Sequence, residues 1–171
     1  RIRIAERKMV ARLSCPKLGI DPRNWGLDAK GVPVRLEMPA NKLPVVHAFN
    51  LDSVQPGSPL DSGPVRAAAA IADNWDTGEE GIRSFKTWNS FSVEAIFEDG
   101  MVATFGITEI SRQIENLQSI LDLAAQRNQQ VATVNLMLKK NIPVKFKGFE
   151  KAPVQPPADL LPTSGNSPKS F

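Results

Sequence analysis

Hydrophobic and polar residues alternate most regularly over residues 91–105, and this alternation predicts two neighbouring strands. Apolar side chains at every second position indicate one strand over residues 91–97 and a second over residues 101–105. The segment Glu98-Asp99-Gly100 lies between them and predicts a tight turn, because glycine adopts the positive φ that such turns require. We therefore expect a β-hairpin here.

A helical periodicity follows the hairpin over residues 108–127. The apolar residues of this segment recur at three- and four-residue spacing, which predicts one face packed on a core. That face consists of Ile110, Ile114, Leu117, Leu121 and Ala124, widened by Ile120 and Leu123. Thr108 and Ser111 are both candidate N-caps, and Glu109 is expected in the first turn, where the helix dipole favours an anion.

Two further apolar runs, residues 131–138 and 142–146, predict two strands joined at Lys139-Lys140-Asn141. Since the second is the last predicted element, we expect it at the border of a sheet, with unpaired N–H and C=O groups. Val144 and Phe146 have the same parity and therefore share a face of the sheet. The expected positive field of this region comes from four lysines: Lys139, Lys140, Lys145 and Lys147.

The N-terminal part of the chain predicts a similar mixture of elements. Strand-like runs occur over residues 1–14, 26–34, 43–46 and 82–89, and an alanine-rich helix is expected over residues 65–74, starting at Gly63-Pro64. From residue 148 onward the chain is polar and rich in proline, which predicts a disordered tail. The fold class that follows is α+β, a mixed or antiparallel sheet with two helices packed on it.

The composition of the chain limits the classes of function that it can have. The 171 residues are 42% hydrophobic, enough for one domain with appendages. The net charge of +3 comes without a Lys/Arg run interleaved with aromatic residues, so the sequence does not favour nucleic-acid binding. The single cysteine, Cys15, excludes an intrachain disulfide and a cysteine-based zinc site. Because the chain begins at Arg1 within an apparent strand, we interpret it as a fragment or processed product.

No catalytic constellation emerges from the titratable residues. His47 has apolar neighbours rather than a nucleophile or carboxylate partner, and Cys15 has no histidine near it in sequence. Asp28 begins a turn that lacks the further oxygen ligands of a calcium loop. We therefore expect no catalytic residue, no metal and no cofactor. An enzyme that uses Glu94, Glu98 or His47 stays open as an alternative.

Several short motifs follow one another in an order that is found in a known protein family. They are IRIAERKMVAR at residues 2–12, LDAKGVPV at residues 27–34 and LPV at residues 43–45. The alanine-rich helix, the strand 101–105, the helix after it and the strand 131–138 continue that order. The sequence resembles the bacterial cell-division family FtsQ, also called DivIB. The resemblance covers roughly residues 1–147. It implies that residues 1–7 are the last strand of a truncated POTRA domain, that residues 8–147 are the β domain, and that a tail follows over residues 148–171.

The resemblance also implies a function. Members of this family are non-enzymatic divisome scaffolds whose extracytoplasmic β domain binds the FtsB and FtsL subunits during septum formation. The implied location is the inner (cytoplasmic) membrane at the septum, single-pass, with this region on the periplasmic side and the transmembrane helix upstream of Arg1. The family's partner site falls on the last strand and the turn before it, which carries over to Leu138, Lys140, Asn141 and Phe146. Val144 joins them by its shared face with Phe146, and strand addition is the expected mode of binding.

A second hypothesis comes from another class of protein. A POTRA-containing module for outer-membrane biogenesis or secretion would also bind extended client segments. The sequence upstream of Arg1 would discriminate the two: one transmembrane helix favours the scaffold, and several POTRA repeats or a β-barrel favour the client-binding module.

Overall fold

A computed structural model of the protein describes residues 7–75 and 81–148, and within them nine strands form one sheet. The strands are β1 (Met9–Ser14), β2 (Trp25–Asp28), β3 (Pro33–Arg35), β4 (Val45–Ala48), β5 (Ile82–Thr87), β6 (Ser92–Phe97), β7 (Val102–Gly106), β8 (Val131–Asn135) and β9 (Val144–Phe146). The helices are α1 (Gly63–Asn74) and α2 (Ile110–Gln126). The predicted POTRA strand, apart from Arg7, and the predicted tail after Gly148 lie outside the described residues.

The strand order is β3-β2-β1-β4-β5-β6-β7-β8-β9, with parallel pairs β1–β4, β4–β5 and β7–β8 among antiparallel ones. The helix α1 connects β4 to its parallel neighbour β5, and α2 connects β7 to β8 in the same way. Such crossovers are almost always right-handed, and both step in the same direction across the sheet, so both helices lie on the same face. The two helices also contact each other. The predicted α+β fold class is confirmed.

The core lies between this face and the helices. The register aligns Leu13, Val46, Phe85, Ala95, Ala103 and Val134 in one row across six strands, each at most 2% exposed. Small side chains on the buried face of α1, including Ala67, Ala68 and Ala69, allow that helix to approach the sheet closely. Its N-terminus is capped by Ser62, whose hydroxyl accepts a hydrogen bond from the Val65 N–H at 3.4 Å.

The entry into α2 differs from the prediction. Neither Thr108 nor Ser111 is the N-cap; Glu109 takes that position with a left-handed φ of 54° and makes no capping hydrogen bond with its side chain. The buried Gln113 side chain instead accepts from the Gly106 N–H at 2.8 Å and donates to the Thr108 carbonyl at 2.6 Å. These two bonds fix the sharp turn from β7 into the helix, which a local capping pattern does not predict.

The predicted end of one strand also needs correction. The predicted strand over residues 131–138 stops at Asn135, because the Asn135 side chain accepts the Met137 N–H at 3.1 Å and starts a turn. Leu136 is nevertheless fully buried, and its N–H donates to the Thr104 carbonyl at 2.8 Å. The hairpin turn at Gly100 is confirmed, with φ at 88°.

The helical face is narrower than predicted. Leu117 is fully buried whereas Leu123 is 52% exposed, because only the strip of α2 above β7 and β8 faces the core. We expect Leu117→Ala to lower the free energy of unfolding by about 2–5 kcal/mol through lost burial and a residual cavity. Leu123→Ala makes the same chemical change at an exposed site and should cost less than about 0.5 kcal/mol. Urea unfolding of both variants measures this, and equal losses would contradict the assignment of Leu117 alone to the core.

Candidate partner-binding edge

The strand β9 (Val144–Phe146) lies at the end of the strand order and pairs only with β8 among the described strands. Its partners are Val134 opposite Val144, Thr133 opposite Lys145 and Val131 opposite Phe146, with an irregularity in register between Val131 and Thr133. The predicted edge strand is therefore confirmed, although it is shorter than residues 142–146.

Two hydrogen bonds define which side of β9 has no partner among the described strands. The Pro143 carbonyl accepts from the Asn135 N–H at 3.1 Å, and the Lys147 N–H donates to the Gln130 carbonyl at 2.8 Å. Backbone groups of successive residues point to opposite sides of a strand, so the N–H and C=O groups of Val144 and Phe146 point away from β8. Pro143, which has no N–H, faces β8, so the outer side keeps its donors.

The side chains of Val144 and Phe146 are half-buried and pack against the core beside α2. Together with the apolar side chains of α2 they border a groove with a cavity volume of about 170 Å³. We call this the edge groove; its apolar lining is Ile120, Leu123, Ala124, Val144 and Phe146. The exposed Leu123 is therefore a wall of this groove, and a partner strand added at β9 would run alongside it.

The other carried-over residues lie in the turn between β8 and β9. Leu138 is 48% exposed, and Lys140 and Asn141 are also exposed, with Asn141 at a left-handed φ of 52°. None of these three lines the edge groove. The structure thus groups Val144 and Phe146 with α2, and it places the remaining candidates on the exposed connection that leads into the edge strand.

Two ion pairs tie this region to the rest of the domain. Lys139 Nζ lies 3.0 Å from a carboxylate oxygen of Glu109, which Arg112 also contacts at 3.3 Å. The hydrogen bond from Lys139, followed by the charges of Arg112 and Lys139, holds the pKa of Glu109 below its ordinary value. Lys147 Nζ contacts the Asp99 carboxylate at 3.1 Å and its carbonyl at 2.9 Å. The positive field expected from four lysines is therefore partly neutralised.

Sequence reasoning missed three contributors to this site. The sequence predicts only a turn at Asp99, a favourable helix-dipole position for Glu109 and a core position for Leu123. Their involvement depends on which strand ends beside which helix, so no local pattern carried the signal.

The candidate catalytic residues lie elsewhere in the sheet, where Lys86 separates His47 from Glu94 across neighbouring strands. Burial, then the positive charges of Lys86 and Arg12, lower the pKa of His47. Cys15 is fully buried at the end of β1. Over residues 7–75 and 81–148, no group of three or more His, Cys, Asp or Glu residues is placed to hold a metal ion. In the same ranges, no helix has the length and apolarity to cross a membrane.

Comparison of the chain with models of known protein families finds no match. A comparison with curated proteins finds no match either.

The Asp99–Lys147 pair predicts a pH dependence of stability. Burial raises the pKa of Asp99, but hydrogen bonds from the Met101 N–H and from Lys147 outweigh burial and leave the pKa below its ordinary value. When the pKa of a carboxylate is lower in the folded than in the unfolded state, the charged group stabilises the fold at every pH above its pKa in the unfolded state. This stabilisation is lost as the pH falls through the pKa of the group in the folded state. Asp99→Asn should therefore lower the free energy of unfolding, measured in urea, by less than about 1 kcal/mol at about pH 7, as expected for a surface ion pair, and by less at about pH 3.

The matched control is Glu98→Gln, because the exposed Glu98 side chain makes no ion pair with a described residue. The difference in the free energy of unfolding between Glu98→Gln and the wild type should not be larger at about pH 7 than at about pH 3. A pH-independent effect of Asp99→Asn would show that the ion pair does not contribute to stability.

Proposed function

We propose that this protein is a non-enzymatic divisome scaffold that binds an extended segment of an FtsB/FtsL-type partner by strand addition at β9. The observation that carries the proposal is the outer side of β9, which pairs with no other described strand and where the backbone donors and acceptors of Val144 and Phe146 point away from β8 beside the edge groove. Strand addition draws affinity from main-chain hydrogen bonds and specificity from pockets for alternate side chains. The edge groove is suited to take one apolar side chain of the incoming strand.

The non-enzymatic part of the proposal is supported by the surroundings of the titratable groups. A general base needs a proton donor or a carboxylate that orients it, whereas the charged groups that affect His47 are the cations Lys86 and Arg12. Glu98 and Asp99 belong to the hairpin turn, and Asp99 is paired with Lys147. The cell-division role and the septal membrane location rest on the resemblance to FtsQ.

Removal of one outward donor tests the proposal. Val144→Pro deletes an N–H on the outer side of β9 and leaves the bonds to β8 in place, as proline is tolerated on an edge strand. Binding of the FtsB-type extracytoplasmic segment from the same genome should weaken by about tenfold relative to Val144→Ala, the loss expected for one main-chain hydrogen bond. Isothermal titration calorimetry measures the affinity, and circular dichroism checks the fold.

A second substitution tests the edge groove independently. Leu123→Glu places a charge in the groove at a side chain that is already 52% exposed, so the fold should persist while binding falls by at least about tenfold. Leu138→Glu makes the same change in the neighbouring turn and separates a groove effect from a turn effect. Wild-type affinity in both folded variants Val144→Pro and Leu123→Glu would refute docking at β9. Equal affinity for unrelated extended peptides would instead favour the client-binding module.

A further inference from the structure

The face of the sheet opposite the helices carries a polar row that the register makes continuous. Ser14, His47, Lys86, Glu94, Thr104 and Asn135 are direct neighbours across six adjacent strands, from β1 to β8. The row beside it includes Arg12 and the half-buried apolar residues Val45, Ile96 and Val102. We call these two rows the open face, because both described helices pack on the other side.

One end of the open face carries an aromatic pair. Phe49 and Trp88 stack with ring centroids 4.2 Å apart and planes within 2°. The Trp88 indole N–H donates to the Glu94 carboxylate at 3.1 Å, and Lys86 Nζ lies 5.7 Å from the Trp88 ring centre. These contacts hold Trp88 against the polar row while 52% of the residue remains exposed. An exposed, positioned tryptophan of this kind is typical of a binding surface.

The charges around this pair favour an anion. Arg12 donates a hydrogen bond from Nε to the Leu43 carbonyl at 2.9 Å, but neither Arg12 nor Lys86 forms an ion pair with a residue in the described ranges. The one carboxylate among the charged groups here, Glu94, accepts a hydrogen bond from the Trp88 indole. Burial lowers the pKa of His47 first, and the positive charges of Lys86 and Arg12 lower it further. Two cations therefore lie near the centre of the row beside one carboxylate, Glu94, which is the cross-strand partner of Lys86. A positively charged strip therefore borders apolar side chains and an aromatic platform.

We propose that the open face around Trp88 is a second docking surface, which binds an acidic segment of a partner protein with aliphatic residues between its carboxylates. The carboxylates would pair with Arg12 and Lys86, and the aliphatic side chains would pack on Val45, Ile96 and Trp88. A second copy of this chain is a poor occupant, since stacking two open faces would oppose like charges. Nucleic acid is disfavoured as well, because its affinity depends on many phosphate contacts.

This surface is separate from the edge proposed above. The strands β5 and β9 are four positions apart in the sheet, which corresponds to about 19 Å. The inference therefore does not depend on strand addition at β9, and the two surfaces admit separate tests.

The chain contains its own reporters for the experiment. His47 is the only histidine, so its imidazole resonances are unambiguous. Of the three tryptophans, Trp25 and Trp75 are buried and Trp88 is exposed, so Trp88 is the one that a ligand on the open face would contact. The probe is a short synthetic peptide that alternates glutamate and valine, titrated into the full chain. We expect a change in tryptophan fluorescence, weaker binding at higher salt, and a rise in the His47 pKa on saturation, because added carboxylates favour the imidazolium.

Matched variants localise the binding. Lys86→Gln should weaken the peptide affinity by at least about fivefold, whereas Lys30→Gln, which removes the same charge from the exposed β2–β3 turn, should leave it unchanged. Trp88→Leu should weaken binding and abolish the fluorescence change. Val144→Pro should leave this binding intact while it weakens partner binding at β9, so failure of one proposal is distinguishable from failure of the other.

Three results would overturn the inference. The first is equal binding of a peptide with lysine in place of glutamate. The second is an equal loss of affinity in Lys86→Gln and Lys30→Gln. The third is tighter binding of a single-stranded oligonucleotide or of polygalacturonate than of the acidic peptide, which would assign the open face to a nucleic acid or to an anionic glycan.

Discussion

Burial of one face of the sheet is the constraint on which the rest of this structure depends. The row of Leu13, Val46, Phe85, Ala95 and neighbouring residues is fully shielded only because α1 and α2 cover it together. Both helices are crossovers between parallel strands, and their common handedness directs them to the same side. The opposite face must then tolerate water, and its polar row from β1 to β8 meets that requirement.

The same constraint leaves β9 with little contact to the helices. The helix α2 reaches far enough to cover β7 and β8, while β9 receives only the flank of the helix and the edge groove forms between them. The Asp99–Lys147 and Glu109–Lys139 pairs hold both ends of this region at the surface. Surface pairs contribute little free energy, so they orient the edge strand more than they stabilise the domain.

The two proposed surfaces differ in their chemistry. Recognition at β9 would use backbone groups, which are insensitive to the identity of most side chains. Recognition on the open face would use charge and one aromatic platform, which makes it sensitive to salt. A segment suited to one surface would therefore be poorly suited to the other.

The sequence by itself determined the elements that depend on neighbours along the chain. Period-2 alternation located β6 and β7, Gly100 located their turn, the 3.6-residue pattern located α2, and Gly63-Pro64 located the start of α1. From these the α+β class followed. Only the tertiary structure decided which residues meet across the chain: that Gln113 rather than a cap fixes the entry to α2, that Leu123 borders a groove instead of the core, and that Lys139 and Lys147 are paired. It also decided that His47, Lys86 and Glu94 share a row. Alternation specifies that a strand has two faces, but the register between strands, and the face that the helices cover, depend on contacts between residues distant in sequence.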